Sequence, residues 1–216
     1  LVAPALANEG ESFTVSGSLL DTDALDTHLL IIDWGGGEGI ETNLGPGVLT
    51  FQVTHQYPDH DSSGAPTNTY SPTIFAIDEA GAQATTNFTL TVANLPPVIK
   101  TLDLSTNALF EGQSVTLTGN FTDPGVRDSH RLRIAWGDGT TNTIDIEVGL
   151  RVFTATHTYQ DDVPTLTPSD LHSIHVSIED DDGGSDDELT TVTVRNAAPQ
   201  LTGVSITSPI WPFTSA

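Results

Sequence analysis

The sequence predicts an all-β protein made of two consecutive β-sandwich repeats of about seven strands each. The first observation is an internal duplication, because a spacing of 102 residues superimposes one half of the chain on the other. The second is a series of short alternating apolar and polar runs bounded by Gly, Pro, Asp and Asn, without helical periodicity. We expect repeat one at residues 1–97, repeat two at 98–199, and the start of a third repeat or a truncated tail at 200–216.

The duplication depends on residues that are far apart along the chain yet fall on one diagonal. The paired positions are Glu9 and Glu111, Gly17 and Gly119, Asp21 and Asp123, Asp26 and Asp128, His28 and His130, Trp34 and Trp136, Phe51 and Phe153, His55 and His157, Tyr57 and Tyr159, Gly81 and Gly183, and Pro97 and Pro199. One stretch departs, because Phe75 and Ile77 align with Val176 and Ile178 one residue off the diagonal. That slip predicts loops of different length around the strand.

The junction between the repeats is short and contains proline. The sequence Asn-Leu-Pro-Pro at 94–97 recurs as Asn-Ala-Ala-Pro at 196–199, and proline fixes φ and removes a donor, so a stiff hinge is expected. Beyond it, Leu201, Val204 and Ile206 repeat the spacing of the apolar residues at 99, 102 and 104.

The alternating runs predict individual strands. In repeat one they are Ser12–Leu20, Leu29–Trp34, Leu49–His55, Thr73–Asp78 and Asn87–Ala93. In repeat two they are Lys100–Leu104, Ser114–Thr122, Arg131–Trp136, Thr143–Glu147, Val152–Thr158, Ser173–Glu179 and Leu189–Arg195. About seven strands in about 100 residues is typical of a β-sandwich.

Period-two apolar positions predict the interior of repeat two. They are Val115, Leu117, Ile134, Trp136, Val176, Ile178, Val192 and Val194. Trp34 and Trp136 are expected to fill the two cores; the alternative is that they stack on a sugar. The candidates for exposed aromatic contacts are Tyr57, Tyr70 and Trp211.

Composition excludes several classes of partner. The net charge is −23, from 29 Asp and Glu against 6 Lys and Arg, and such a field repels nucleic acid and anionic lipid and attracts cations. The chain has no Cys, so it has no disulfide, thiolate nucleophile or Cys-ligated zinc. No segment has the length of a membrane helix, and no signal peptide is recognised at Leu1. We therefore expect no nucleic-acid partner, no membrane insertion and a monomer.

Three ordered motifs in repeat two resemble a known family. Ile-Ala-Trp-Gly-Asp-Gly-Thr at 134–140, His-Thr-Tyr at 157–159 and Asp-Asp-Asp-Gly-Gly at 180–184 resemble the polycystic kidney disease (PKD) repeat, in a bacterial subtype found in very long surface proteins. The resemblance covers both repeats and implies immunoglobulin-like sandwiches in an extracellular or cell-surface protein. Repeat one departs from the pattern, with Gly36 in place of Asp138 and Glu38 in place of Thr140.

The residues of the motif also have structural interpretations. Gly137 and Gly139 supply positive φ for a tight hairpin, and Asp138 hydrogen-bonds the turn backbone. His157 and Tyr159 are expected to form a strand-end corner in which the Tyr hydroxyl bonds to backbone. His55 and His157 are accordingly predicted to be structural residues rather than ligands or bases.

Acidic loops are the strongest candidates for a functional site. In a sandwich of this type the loop at 121–128 and the loop at 180–184 lie at one end, together with the start of the domain. Carboxylates there, with an oxygen from Ser-Thr-Asn at 105–107, would suit Ca²⁺, and the resemblance to PKD repeats supports this because some of these domains bind calcium. The predicted ligands are Asp123, Asp128, Asp180, Asp182 and Asn107 in repeat two, and Asp21, Asp23, Asp26 and Asp78 in repeat one.

A second geometry places the cation at the junction. Glu9 lies at the opposite end of repeat one, facing repeat two. There it would meet Asp123 or Asp180 across the hinge. Asp59, Asp61 and Asn94 would join it from the same side of the hinge. A cation there would stiffen the hinge. A third interpretation is that all these residues are solvated turn acids, since Asp is favoured in turns without any metal.

The expected function is therefore a non-catalytic spacer or adhesion module of a large secreted or surface protein, whose partners are the neighbouring repeats of its own chain. The alternative is a module that binds polysaccharide or a surface protein. A hydrolase is the remote alternative, because Gly-x-Ser-x-Gly, His-Glu-x-x-His and phosphate-binding Gly loops are all missing from the sequence.

Overall fold

The computed structural model describes residues 1–23, 25–58, 64–161, 167–203 and 205. These residues form strands and no helix, which confirms the predicted all-β class, and consequently none of them belongs to a helix able to cross a membrane. The strands are β1 (Leu6–Asn8), β2 (Ser12–Ser18), β3 (His28–Gly35), β4 (Glu38–Leu44), β5 (Thr50–Gln56), β6 (Thr67–Tyr70), β7 (Thr73–Asp78), β8 (Gln83–Asn87), β9 (Leu90–Ala93), β10 (Val98–Leu104), β11 (Ala108–Phe110), β12 (Ser114–Thr122), β13 (His130–Ala135), β14 (Thr141–Ile146), β15 (Val152–Thr158), β16 (Ser169–Asp180) and β17 (Ser185–Arg195).

Repeat two is a sandwich of a three-stranded and a five-stranded sheet. The first has the order β10-β12-β15, and the second has the order β11-β17-β16-β13-β14. The pairs are antiparallel except for β11, which runs parallel to β17. Hence the first segment of the repeat contributes one strand to each sheet, β10 to the smaller and β11 to the larger.

Repeat one follows the same plan, except that the counterparts of β16 and β17 are each broken into two strands. Its sheets are β2-β5, β4-β3-β7-β8 and β1-β9-β6. β6 and β7 lie 102 residues before the two halves of β16, and Pro72 stands between them where repeat two has Ile174. Proline cannot donate to a ladder, so it accounts for the interruption.

Each repeat has its own hydrophobic core. All eight apolar residues predicted to face the interior of repeat two are fully buried. The core of repeat two draws on residues between Ile99 and Val194, and that of repeat one on buried residues between Val15 and Val92. No described core cluster combines residues from both sides of Pro97.

The predicted one-residue slip is wrong. β3 pairs with β7 through Ile32↔Ile74 and His28↔Asp78, and β13 pairs with β16 through Ile134↔Val176 at the same 102-residue offset. Phe75 therefore lies on the opposite face from Ile74, because side chains alternate along a strand. The bulkier Phe75 suggested an inner position, but cross-strand pairing fixes the register.

The strand predictions in repeat one missed β1, β4, β6 and all but the last residue of β8, and those in repeat two missed β11. β12 and β15 match their predicted bounds, whereas β16 and β17 each begin four residues earlier than predicted. The parts that were missed, Ser-Asp-Leu-His at 169–172 and Ser-Asp-Asp-Glu at 185–188, are mostly polar and lack the apolar alternation that marks a half-buried strand. Each becomes a strand because it pairs with the later half of the other strand.

Candidate functional site

The Trp-Gly-Asp-Gly-Thr motif forms the β13–β14 hairpin and is structural. Gly137 and Gly139 have φ of 86° and 90°. Burial opposes ionisation of Asp138. Its carboxylate accepts hydrogen bonds from the hydroxyl and N–H of Thr140, and its Oδ2 lies 2.7 Å from Nε2 of His157. These contacts outweigh the effect of burial and hold the pKa of this carboxyl below its ordinary value. Both carboxylate oxygens of Asp138 are thus hydrogen-bonded, Oδ1 to Thr140 in the turn and Oδ2 to His157 on the facing strand.

The predicted tyrosine corner is present in both repeats. The hydroxyl of Tyr159 donates to the backbone carbonyl of Trp136 over 2.8 Å, and that of Tyr57 donates to the carbonyl of Trp34 over 2.7 Å. Burial raises the pKa of both tyrosines, so both remain neutral donors. The bond ties the end of β15 or β5 to the opposite sheet.

Three of the aromatic side chains considered for ligand binding lie inside the repeats rather than on an exposed face. Trp34 and Trp136 are buried and stack on His55 and His157, so neither tryptophan is available to stack on a sugar. Tyr57, a candidate for exposed contacts, is also buried, and its ring stacks on the half-buried Tyr70. The remaining candidate, Trp211, lies outside the described residues.

The loop that follows β12 presents two carboxylates at the end of repeat two that faces repeat one. Asp123 Oδ1 accepts the N–H of Gly125 over 2.8 Å, and its Oδ2 lies 2.6 Å from Nε2 of the buried His130. Asp128 is 1% exposed, and a Cβ atom at Gly125 would overlap its carboxylate. Glycine at this position therefore lets the loop close tightly over Asp128.

The loop between β16 and β17 lies at the same end of the repeat. Asp180 Oδ1 accepts the N–H groups of Asp182 and Gly184, which shapes the turn, and its Oδ2 accepts Nδ2 of the linker residue Asn94 over 3.0 Å. Asp182 is 3% exposed. Both oxygens of Asp180 thus accept hydrogen bonds. Oxygens of Asp181 and Asp182 lie near the carboxylate of Asp128.

Glu9 of repeat one reaches this group across the junction. Oxygens of Glu9, Asp123 and Asp128 lie within 4.8 Å of one another, and a second set of oxygens from Asp128, Asp181 and Asp182 meets the same limit. Glu9 is fully buried, and its Oε1 accepts the N–H of the linker residue Leu95 over 2.9 Å. Asp128 is common to both sets, so the five carboxylates form one connected cluster, which we call the junction cluster.

Backbone contacts hold the two repeats together beside the junction cluster. The N–H of Val126 donates to the carbonyl of Pro58 over 3.2 Å. Gly10 has φ of 68°, and a Cβ atom there would lie 2.8 Å from the carbonyl oxygen of Pro124. The turn that carries Glu9 therefore rests directly on the loop that carries Asp123 and Asp128.

The equivalent glutamate of repeat two gives an internal comparison. Glu111 Oε1 accepts the N–H of Ala197 over 3.0 Å, which reproduces the bond between Glu9 and Leu95. Glu111 is only half-buried and belongs to none of the acidic groups formed by the described residues. Capping the linker is thus a property of each repeat, and the full burial of Glu9 comes from the junction.

The corresponding end of repeat one carries a smaller acidic group of Asp21, Asp26 and Asp78. The N–H of Asp23 and the ring of His28 hydrogen-bond Asp21 and lower the pKa of its carboxyl. Burial raises the pKa of Asp26, and the neighbouring carboxylates raise it further. Negative charge therefore accumulates at this end as well, but among partly exposed side chains.

The structure brings together most of the predicted ligands and separates one from the rest. Asp123, Asp128 and Asp182 belong to the junction cluster, and Asp180 holds the linker beside it. Asn107 lies elsewhere, because its carbonyl accepts the N–H of Thr193, which pairs with Leu171 at the far end of β16 from Asp180. The segment that meets the acidic loops is the linker at 94–97.

Three further outcomes concern individual acids. Asp23 is exposed and caps the N–H of Leu25 without joining the acidic group of its repeat. Asp59 and Asp61 lie outside the described residues. Asp181 was absent from the predicted ligands, although its place in a run of three aspartates was the signal that would have included it.

Comparisons with known proteins bear on the fold. No protein-family model matches the sequence, and no curated protein matches it significantly. A PKD domain of an M14-like peptidase from Thermoplasmatales archaeon SCGC AB-540-F20 is similar, with a TM-score of 0.40 at 22% identity, over 48% of this chain and 99% of that one.

Two solved structures with more than one domain are also similar. A tetra-tandem repeat in the extending region of a large adhesion protein has a TM-score of 0.47 at 13% identity, over 86% of this chain and 46% of that one. A two-domain fibronectin type-III segment from chicken tenascin has a TM-score of 0.39 at 16% identity, over 84% of this chain and 91% of that one.

Proposed function

We propose that this chain is a non-catalytic spacer whose two repeats are locked end to end by a divalent cation, Ca²⁺, held in the junction cluster. The observation that carries the proposal is the convergence of Glu9, from one repeat, with Asp123 and Asp128, from the other, within 4.8 Å. Five carboxylates at one place supply the hard oxygen ligands that Ca²⁺ prefers.

Electrostatics supports a cation at this position. Glu9, Asp128 and Asp182 are almost completely removed from solvent, and crowded carboxylates in a poorly solvated place repel one another strongly. The whole chain has 6 Lys and Arg side chains for 29 Asp and Glu side chains, so its basic side chains are too few to neutralise all of its acidic clusters. A divalent ion would supply the missing charge.

The position of the cluster determines the effect of binding. A cation that takes ligands from both repeats stabilises one relative orientation, in addition to the hydrogen bonds from Asn94 to Asp180 and from Val126 to Pro58. Extracellular calcium modules have Kd values of about 10⁻⁴–10⁻³ M, which suits a site filled outside the cell rather than in the cytosol. We therefore propose an extracellular or cell-surface location.

Calorimetric titration of the 216-residue chain with CaCl₂ tests the site, and small-angle scattering of the same samples tests its effect on shape. We expect saturable binding and a narrower distribution of inter-repeat distances in calcium than in chelator. Asp128→Asn should weaken binding at least tenfold and remove the difference in scattering, because Asp128 is shared by both halves of the cluster.

Asp26→Asn is the matched control, since Asp26 is the equivalent residue of repeat one and lies away from the junction. It should leave the calcium-dependent scattering unchanged. The proposal is wrong if the wild-type chain binds no calcium, or if Asp26→Asn and Asp128→Asn have the same effect on shape.

A further inference from the structure

Repeat one has an apolar patch on the outer face of its β4-β3-β7-β8 sheet. Buried residues alternate with exposed or partly exposed ones along β3 and β7, so every second side chain of these strands points away from the core. Four of the outward residues are large and apolar, and they pair across the two strands as Ile31↔Phe75 and Leu29↔Ile77. None of the four belongs to the described core of repeat one. They therefore lie side by side on the solvent face of the sheet, and we call them the outer patch.

Repeat two has polar or charged residues at the four equivalent positions. At the 102-residue offset, Leu29 is replaced by Arg131, Ile31 by Arg133, Phe75 by Ser177 and Ile77 by Glu179. The fold therefore does not need apolar side chains at these places. Contact between neighbouring repeats does not cover this face either, because in repeat two, which rests on repeat one, the side chains of Arg131 and Asp145 on the same face are 68% and 76% exposed. An apolar patch of this kind is typical of a surface that meets another protein.

The polar residues around the outer patch are divided between the two sides of the sheet. The outward residues of β4 and β3 include the acids Glu41 and Asp33, whereas those of β7 and β8 are all uncharged. Across the sheet, the polar residues that lie in line with each other are Glu41 with Thr85, Asp33 with Thr73, and Asn43 with Gln83. Residues 1–97 contain no Lys or Arg, so this repeat has no such side chain to compensate acids that meet across a contact.

We propose that the outer patch binds the outer patch of a second copy, so that the chain forms a two-fold symmetric dimer through this sheet. A surface that contacts its own copy requires a two-fold axis. An axis parallel to the strands, between β3 and β7, places each β3 on β7 of the second copy and each β4 on its β8. Ile31 then packs on Phe75 of the second copy in an aligned pair of sheets.

The charges favour this axis over the alternative. An axis in the contact plane but perpendicular to the strands would place β4 on β4, with Glu41 and Asp33 of the two copies on the same side and no basic side chain between them. The axis parallel to the strands places Glu41 on Thr85 and Asp33 on Thr73 instead, so that each acid meets a hydroxyl donor.

The size of the sheet sets the strength of the dimer. Four strands about 4.8 Å apart and about 20 Å long present about 400 Å² per copy, half of what a standard interface buries on each partner. The dimer is therefore weak, and it replaces the monomer expected from the sequence only at high concentration.

Sedimentation equilibrium of the 216-residue chain tests the dimer, in chelator and at about 0.15 M salt, where a Debye length of about 8 Å screens the repulsion between two acidic chains. The average mass should rise above 22.8 kDa with concentration and approach twice that value. Ile31→Arg with Phe75→Ser should raise the dimer Kd more than about tenfold, because polar side chains replace the apolar centre of the contact. Both new residues stand at the equivalent positions of repeat two, so the fold accommodates them.

Leu171→Thr with Leu189→Asn is the matched control. These leucines lie on the outer face of the larger sheet of repeat two, are 69% and 62% exposed, and stand where repeat one has Thr69 and Asn87. The control removes exposed apolar surface from the other repeat by the same kind of exchange. It should leave the dimer Kd unchanged.

Thr85→Lys tests the axis by a gain of affinity, which loss of folding cannot produce. The new side chain faces Glu41 of the second copy, so two charge pairs form in each dimer and the Kd should fall by a factor of about 2–30. With the perpendicular axis the two lysines would face each other and weaken the dimer. Thr14→Lys, at an exposed position of β2 away from the patch, makes the same change in net charge and should alter the Kd less than about twofold.

The inference is overturned if the wild-type chain stays at 22.8 kDa up to about 1 mM, if Ile31→Arg with Phe75→Ser associates as well as the wild type, or if the leucine control abolishes association. A weaker dimer with Thr85→Lys would refute the proposed axis. Because chelator is present throughout, these outcomes do not depend on whether the junction cluster binds calcium.

Discussion

Replacing Glu9 with Gln should stabilise the chain in chelator, and calcium should remove part of that gain. The carboxylate lies within 4.8 Å of those of Asp123 and Asp128, and at an effective dielectric constant of about 20 each such charged pair costs about 3.5 kcal/mol. Gln removes this repulsion but exchanges a charged acceptor of the Leu95 N–H for a neutral one, a loss of about 1 kcal/mol. The two pairs together amount to about 7 kcal/mol, so in chelator we expect Glu9→Gln to raise the free energy of unfolding by up to about 6 kcal/mol.

Calcium should reduce the advantage of the variant. For a Kd of about 10⁻⁴–10⁻³ M, a free calcium concentration of about 10 mM stabilises the wild-type chain by about 1.4–2.7 kcal/mol. Glu9→Gln, which lacks the ligand from repeat one, should gain less than half of that. The difference in free energy of unfolding between variant and wild type should consequently shrink, by between about 0.7 and 2.7 kcal/mol, on adding calcium.

Urea unfolding followed by tryptophan fluorescence measures both effects. Trp34 and Trp136 report on repeats one and two, and a Trp211→Phe background removes the third indole. Glu111→Gln is the control, because it loses the same kind of linker hydrogen bond outside any described acidic group, and it should be destabilising by about 1 kcal/mol whether or not calcium is present. Equal destabilisation by Glu9→Gln in calcium and in chelator would refute the reasoning.

Two further predictions concern the motifs inside repeat two. Tyr159→Phe leaves the carbonyl of Trp136 without its hydroxyl donor in a fully buried place and should lower the free energy of unfolding by about 1–3 kcal/mol, measured in urea; a change below about 0.5 kcal/mol would show that the corner is not needed. Asp138→Asn should cost about 1–2 kcal/mol at neutral pH, because it weakens the bonds to Thr140 and His157. Folding lowers the pKa of Asp138, so the stability that its carboxylate contributes is complete above the ordinary value of 3.8 and is lost as pH falls through the lowered pKa. The difference in free energy of unfolding between wild type and variant should therefore vanish in acid. A difference independent of pH would contradict this assignment.

The sequence alone determined the duplication, the all-β class and the inner face of four strands of repeat two. The duplication is visible in the sequence itself, as a spacing of 102 residues between matching positions. The inner face follows from a local rule, because side chains alternate along a strand and so Val115 and Leu117 share one face whichever strands they pair with. The tyrosine corner was also predictable, since a buried phenol needs a hydrogen-bond partner.

The tertiary structure decided register and convergence. Phe75 and Ile74 are both apolar, so only pairing with β3 could show which of them faces the core. The polar first halves of β16 and β17 become strands because each pairs with the later half of the other strand, a non-local cause that local pattern does not carry.

The junction cluster shows the same division. The acidic loops and Glu9 were visible in the sequence, but two rival geometries remained, one within a repeat and one across the hinge. In the fold, Asp128 shares one group of carboxylates with Glu9 and Asp123 and another with Asp181 and Asp182. Which carboxylates meet depends on how the Gly10 turn rests on Pro124, a contact between residues more than a hundred positions apart, and only folding brings such residues together.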